Sequence, residues 1–173
     1  MDKDILLAIH AHASPLLDAI APAVTALAEP TFIAAFAVGI GLAYAYARKW
    51  DWAVLWLCGV VGAGGVAYII KHLTARPRPE LWDRLVVETG YSLPSGHATA
   101  SMAVAACLVV LLWHTKWRAM ALVLGGIYVV LIGLTRLYLG VHYPTDILAG
   151  WLLAAGWIAV VAVLIRRYLR AYS

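Results

Sequence analysis

Along the chain, apolar residues run in unbroken blocks, and polar positions gather in the short stretches between them. Blocks long enough to cross a bilayer, at about 20 residues per crossing, lie at roughly 31–47, 52–71, 97–114, 117–137 and 145–166. The pattern predicts an all-α protein, a polytopic membrane helical bundle with five transmembrane helices. The first 29 residues are apolar overall but carry His10, His12, Asp18 and two prolines. They are expected to form either an amphipathic helix lying on the outer surface or a sixth, poorer span, and the surface helix is the better fit. Both deliver the chain to the outer face before residue 31. No linker or block of like charge divides the sequence, so residues 1–173 read as a single integral-membrane domain in which 72–96 form an outer loop.

Composition agrees with this partition. Of 173 residues, 64% are hydrophobic and 13% charged, too apolar for a soluble domain that leaves half its surface to water. A net charge of +4 would suggest nucleic acid in a soluble protein, but here placement matters more than the sum, and no nucleic-acid partner is expected. Arg48 and Lys49, then Lys116 and Arg118, then Arg166, Arg167 and Arg170 fall in alternate connectors and the tail. By the positive-inside rule these segments are cytoplasmic, and Trp50, Trp52, Trp113, Trp117 and Tyr168 beside them suit interfacial anchors. Cys58 and Cys107 lie inside apolar runs, without metal or redox spacing, and are expected to be structural and unpaired. A cleaved signal peptide is not expected, because the basic leader is minimal and no small-residue cleavage site follows a compact apolar core.

Two segments remain for the outer face, and both break the charge rule. The stretch from Lys71 to His97 carries Lys71, Arg76, Arg78 and Arg84, and the stretch from Arg136 to Asp146 adds Arg136. An ionisable group at the centre of a membrane helix costs about 2.5–3.5 kcal/mol on insertion scales, so such a cluster implies a use. In the run KHLTARPRP, prolines 77 and 79 stiffen the backbone around Arg78. A snorkelling lysine in a solvated basic loop would explain it, and so would a phosphate clamp in which arginine supplies a fork and lysine a point charge. Pro94, Ser95, Gly96 and His97 stand just before an apolar helix. Ser95 is a good N-cap, Gly96 lets a ligand approach the backbone, and the free N–H groups of the first turn suit an anion. The cap alone does not explain His97. Pro144 suits the first position of a helix, placing His142 just before it and Asp146 in its first turn. A carboxylate near an imidazole can fix the tautomer and leave the other nitrogen as nucleophile or base. Taken together, two histidines, an aspartate, Lys71, Arg78, Arg136 and a helix N-terminus on one face point to phosphoryl transfer. Catalysis of that reaction consists mostly of positioned positive charge, an in-line nucleophile and an acid for the leaving group. No carboxylate cluster for magnesium and no His/Cys tetrad for zinc is apparent, so the cation must come from the protein.

The three clusters resemble the three-part signature of the type 2 phosphatidic acid phosphatase superfamily. That signature reads Lys, six residues, Arg-Pro; then Pro-Ser-Gly-His; then Ser-Arg, five residues, His, three residues, Asp. Here it stands as Lys71 to Arg78-Pro79, Pro94-Ser95-Gly96-His97, and Thr135-Arg136 to His142 to Asp146, over roughly residues 30–165. Thr135 replaces the usual serine and keeps a hydroxyl. The chain is short beside members with six spans, so the first helix would be missing or reduced to the surface segment. The resemblance implies that His142 attacks phosphorus to form a phosphohistidine, that Asp146 orients it, and that His97 protonates the leaving oxygen and then activates water. It further implies phosphoryl binding by Lys71, Arg78, Ser95, Gly96 and Arg136, with no metal or other cofactor.

A lipid phosphate at the membrane surface is the substrate and partner such a site suits: phosphatidic acid, phosphatidylglycerol phosphate or undecaprenyl diphosphate. Size and the absence of extensions fit a bacterial plasma-membrane enzyme facing the periplasm or cell exterior. A soluble vanadium haloperoxidase of the same superfamily is argued against by the spans. A small transporter or anion-binding protein using the same His/Arg/Asp cluster would be expected to hold its ionisable groups near the bilayer midplane. A purely structural membrane protein leaves the cationic face unexplained. The sequence does not give the oligomeric state, although the small residues between Gly59 and Tyr68 would permit close helix packing.

Overall fold

The computed structural model describes residues 1–172, with side chains described through Tyr168, so Arg170 of the basic tail falls outside the described side chains. The described elements are all helical. They are α1 (Asp2–His10), α2 (Pro15–Ala26), α3 (Pro30–Tyr46), α4 (Trp50–Val54), α5 (Gly62–Thr74), α6 (Gly96–Leu112), α7 (Arg118–Tyr138) and α8 (Pro144–Tyr172). A π-helical stretch, Leu55–Val61, joins α4 to α5 without interruption. The membrane bundle is therefore as expected, but the count of spans differs. Pro15–Tyr46, Trp50–Thr74, Arg118–Tyr138 and Pro144–Tyr168 are long and apolar enough to cross a membrane, whereas Gly96–Leu112 is a shorter apolar helix. Its 17 residues extend about 25 Å at 1.5 Å per residue, because the Ser95 cap fixes one end and the chain turns at Trp113.

Residues 1–29 form two helices where one was expected. At nine and twelve residues, α1 and α2 are each too short to span alone. Ser14 caps α2 and Pro15 occupies its first turn, a start signal present in the sequence. A break at Leu27–Glu29 separates α2 from α3. Polar contacts lay α2 along α7: the Tyr138 hydroxyl donates to Asp18, the Ser14 N–H donates to the Tyr138 oxygen at 3.3 Å, and Tyr128 donates to the Leu27 carbonyl at 2.9 Å.

α6 is the central helix, packed most extensively on α7 and α8 and also touching α3, α5 and the π-helical stretch. Lipid tails are as apolar as leucine, so helix association in a membrane depends on close packing, which small residues permit. Ala98, Ala103 and Cys107 on α6 are completely buried, and the core continues through Ile33 and Ala37 of α3, Trp56 and Val60, and Ala154 and Ile158 of α8. The π-helical turn disturbs the regular ladder of backbone hydrogen bonds, and neighbours supply donors to its carbonyls: Trp157 Nε1 donates to Cys58 O at 2.7 Å, and Cys107 Sγ to Leu55 O at 3.7 Å. Both cysteines are free, with Cys107 buried and Cys58 exposed.

At one end of the bundle lie the C-termini of α5 and α7 and the N-termini of α6 and α8. The sequence clusters are therefore delivered to one layer by four helix ends. The segment between α5 and α6 folds over that layer. Ala75 (φ 45°) turns the chain out of α5, and Ser92 ties the far end back by donating from its N–H to Arg76 O at 2.9 Å and from Oγ to Pro77 O at 3.1 Å.

Candidate active site

His142 lies in the turn between α7 and α8 and is 1% exposed. Asp146, one turn further on and completely buried, brings Oδ2 to 3.6 Å from His142 Nδ1. That separation is longer than a hydrogen bond, and Nδ1 has no hydrogen-bond partner. On the other side of the ring, Arg78 donates from one guanidinium nitrogen to His142 Nε2 at 3.1 Å and from the same nitrogen to the Val141 carbonyl at 3.0 Å. Accepting from Arg78 requires a lone pair on Nε2. The imidazole is thus neutral with its proton on Nδ1, facing Asp146. Burial, together with the Arg78 and Arg136 charges, pushes the His142 pKa down to about 4 against the opposing pull of Asp146. At neutral pH Nε2 is therefore unprotonated, and its lone pair accepts from Arg78, which has to release it before the nitrogen can attack anything.

Two guanidiniums share one carboxylate beside this nitrogen. Arg78 reaches Glu88 Oε2 at 3.5 Å, and Arg136 donates to Glu88 Oε1. Arg78 is held further by the carbonyls of Thr89 and Gly90, each at 3.1 Å. Arg136 is 1% exposed, donates to Thr25 Oγ1 at 3.1 Å, and keeps its Nε unpaired. Burial would raise the Glu88 pKa, but the Arg136 and Arg78 charges and the Arg136 hydrogen bond hold it below the usual glutamate range. An ionised carboxylate thus occupies the space between two arginines next to a neutral imidazole.

The remaining expected residues converge on this layer. Lys71, at the C-terminal turn of α5, lies within charge–charge range of Arg78, Arg136, Glu88 and Asp146, and its side chain makes no described hydrogen bond or ion pair. His97, in the first turn of α6, is in range of Arg136, Glu88, His142 and Lys71. Its Nε2 lies 3.3 Å from Glu29 Oε2. Ser95 is completely buried; its Oγ caps α6 at Ala98 N, 3.5 Å away, and its own N–H donates to the Asp146 carbonyl at 3.1 Å. Gly96 opens α6. The Thr135 hydroxyl donates to Ile132 O at 2.7 Å in its own helix, so the serine-to-threonine replacement turns away from the other clusters.

Two glycines set this geometry. A Cβ on Gly150 would meet the Ser95 carbonyl at 2.9 Å and Thr99 at 3.0 Å, so its absence lets the N-termini of α6 and α8 touch. Gly140 adopts φ 66°, a left-handed conformation that glycine favours, and Trp82 covers it at a distance where a Cβ would lie 2.6 Å from the indole. His10 stacks on the same indole at 4.0 Å, joining α1 to the α5–α6 segment.

Sequence reasoning did not assign Glu88, Glu29 or a partner for Arg76. Arg76 donates to Asp146 Oδ1 at 2.6 Å, Thr145 Oγ1 at 2.7 Å and Asp2 Oδ2 at 3.0 Å. Glu88 is one of three acidic residues, with Glu80 and Asp83, between Lys71 and His97, and nothing in the sequence singles it out or measures its distance from two arginines.

On the membrane side, a cavity of about 400 Å³ opens between α3, α5 and α6. Ile33, Val60, Gly64 and Ala100 make it apolar, and Lys71 and Gly96 stand on its wall. Among the described residues, no group of three or more His, Cys, Asp or Glu side chains has the proximity to hold a metal ion.

Comparison with known proteins places these features in context. A model of the PAP2 superfamily matches residues 52–170. Phosphatidylglycerophosphatase B of Bacillus subtilis is 32% identical over 144 residues, covering 79% of this chain and 70% of that protein. Undecaprenyl-diphosphatase of Sulfolobus acidocaldarius is 45% identical over 75 residues, 43% of this chain and 34% of the relative. The crystal structure of a transmembrane PAP2-type phosphatidylglycerolphosphate phosphatase from Bacillus subtilis superposes with a TM-score of 0.84 at 28% identity, over 96% of this chain and 85% of that one.

Proposed function

The chain belongs to the PAP2 superfamily, and on that premise we propose that it hydrolyses a lipid phosphate monoester or diphosphate through a phosphohistidine. The observation that carries this reading is the placement of Glu88, an anion bridged by Arg78 and Arg136 while Arg78 also touches His142 Nε2. Phosphoryl oxygens replacing that carboxylate would meet both guanidiniums and stand beside the nucleophile. His142 Nε2 attacks phosphorus, and the bond from phosphorus to the lipid oxygen breaks as His97 gives that oxygen a proton. His97 then takes a proton from water, whose oxygen displaces His142 Nε2 and releases inorganic phosphate. Asp146 faces the Nδ1 proton and stabilises the cationic ring formed in the first step, and the 3.6 Å separation is expected to shorten as that charge develops. Lys71, Arg136, Arg78, Ser95 and the Gly96 turn bind the phosphoryl oxygens.

A lipid substrate follows from the cavity that runs from the apolar flank of the bundle to Lys71 and Gly96. It would take acyl or prenyl chains while the phosphate enters the polar layer. Phosphatidic acid, phosphatidylglycerol phosphate and undecaprenyl diphosphate are the candidates, and the names of two relatives, a phosphatidylglycerophosphatase and an undecaprenyl-diphosphatase, support the last two. The basic connectors Arg48-Lys49 and Lys116-Arg118 and the pair Arg166-Arg167 favour an orientation with the site on the outer side, which in a bacterial plasma membrane is the periplasm or cell exterior.

The test is phosphate release by detergent-purified protein in excess chelator from those three lipids, with His142→Ala alongside. Release that persists in chelator and disappears in the variant supports the reading and ranks the lipids. Equal release by variant and parent, or none by the parent, overturns it.

A further inference from the structure

Asp146 is anchored from a side that the expected site did not include. Its Oδ2 accepts from the Tyr143 N–H at 2.8 Å and faces His142; its Oδ1 accepts from Arg76 at 2.6 Å. The same guanidinium lies over the Tyr143 ring at 4.2 Å and donates to Thr145 Oγ1 at 2.7 Å, so it grips the 143–146 turn at three points. Its own backbone is pinned. Ala75 (φ 45°) directs Arg76 out of α5, Pro77 follows it, and its carbonyl accepts from Ser92 N at 2.9 Å. On the far side Asp2 of α1 closes the network, with one oxygen 3.0 Å from Arg76 and 2.6 Å from Thr145 Oγ1. Arg76 touches neither His142 nor the arginines that hold Glu88 in any described hydrogen bond.

We propose that Arg76 is a positioning residue for the hydrolysis, fixing the plane of the Asp146 carboxylate that faces His142, and that Asp2 makes helix α1 part of the same support. This rests on the phosphatase reading above. The physical reason is geometric. A buried carboxylate bound only through one oxygen rotates about its Cβ–Cγ bond, and Oδ2 has to stay opposite Nδ1 as the imidazole becomes charged. Arg76 on Oδ1 and the Tyr143 N–H on Oδ2 together remove that rotation.

Arg76 is 29% exposed and borders an open cavity of about 420 Å³ with Asp2 and Tyr143, so a small cation can reach its place. The experiment compares the parent with Arg76→Ala, Arg76→Lys and Asp2→Asn, as purified full chains, on the best lipid phosphate. Arg76→Ala is expected to lower kcat at least ~10-fold with KM changed less than about 2-fold, because an interaction made in the transition state is lost. Methylguanidinium ion should restore at least ~3-fold of that kcat and leave the parent unchanged, Arg76→Lys should fall between, and Asp2→Asn should lose about 2-fold. A kcat within 2-fold of the parent, or a loss that neither lysine nor methylguanidinium relieves, overturns the proposal.

A measurement without turnover separates this inference from the phosphatase reading. For 15N-histidine NMR, the charged and titratable groups around His142 are Asp146, Arg78, Arg136 and His97, and Arg76 reaches it only through Asp146. Arg76→Ala should move the His142 titration up by at least about half a pH unit, as Asp146 loses the competing cation. An unmoved titration also overturns the proposal. If the parent releases no phosphate yet the titration moves, the phosphatase reading fails while the Arg76–Asp146 coupling stands.

Discussion

The end of the bundle that carries the histidines and its apolar middle are built from different interactions. In the middle, α3, the π-helical stretch, α6 and α8 meet through alanine, cysteine, valine and isoleucine, and polar contacts are few and serve the backbone, as when Trp157 donates to Cys58 O. At the site end nearly every buried side chain with a charge is held by another from a different helix or loop. Glu88 joins Arg78 to Arg136, Arg76 joins Asp146 to Asp2, and Glu29 meets His97. Shape does most of the holding in the middle, which tolerates exchange of one apolar group for another of similar volume. Charge pairs hold the site end, where removing one partner strands the other in a poorly solvated layer. The contrast predicts that changes in the middle move stability with little effect on turnover, and that changes at the site end lower turnover and, where they break a buried charge pair, stability as well.

The largest expected effect tests the chemistry directly. His142→Ala removes the proposed nucleophile and should leave no measurable phosphate release. His97→Ala should lower kcat by about 10²–10⁴-fold, the usual range for a positioned proton donor, while inorganic phosphate still binds. Near-normal turnover in either variant would contradict the assignment.

The second effect is on pH dependence. The neutral form of His142, which the proposed attack requires, is present above its pKa and is lost as pH falls through it. With that pKa pushed down to about 4 by burial and two arginines, about 90% of the free enzyme remains neutral at pH 5. An ordinary histidine near 6.5 would retain about 3%. The acid limb of kcat/KM, with the substrate's own ionisation divided out, is therefore expected nearer pH 4 than 6.5. A limb at 6.5 would show that the buried ring is not the titrating nucleophile.

A smaller change is expected at Glu88. Because its carboxylate already sits between Arg78 and Arg136, a substrate anion has to displace it. Glu88→Gln should tighten inhibition by orthovanadate, a phosphate analogue, by about 3- to 10-fold, since the amide carries no charge to compete. Unchanged or weaker inhibition would mean that Glu88 and the phosphoryl group do not share this space.

The smallest effect belongs to the middle of the bundle. Trp157→Phe removes the donor to Cys58 O and should lower stability by about 1 kcal/mol, read as a lower Tm in detergent, with kcat within 2-fold of the parent. A large loss of kcat would erase the distinction between the two regions.

Much of the site was legible before any coordinates. Ser95 ahead of an apolar run and Pro144 behind His142 announced two helix starts, and the structure places both there. The spacing from Lys71 to Arg78 and from Arg136 to Asp146 marked the residues that the four helix ends bring into one layer. Glu88 was not legible as a partner, because 48 residues separate it from Arg136. Arg76 and Asp146 are 70 residues apart, and Asp2 and Thr145 are 143 apart. The residues before Pro30 were read as one helix. Their division into α1 and α2 follows the local start signal at Ser14-Pro15, whereas the contacts with Trp82, Tyr138 and Tyr128 that seat the two helices are encoded by no local periodicity.

The sequence by itself determined the membrane class, the approximate helices and which candidate site residues to look for, because hydropathy, capping and side-chain chemistry are local properties of residues. Tertiary structure decided which charges meet. A carboxylate, an imidazole and a guanidinium act on one another only across a few ångströms, and those distances are set by helix ends brought together from remote parts of the chain.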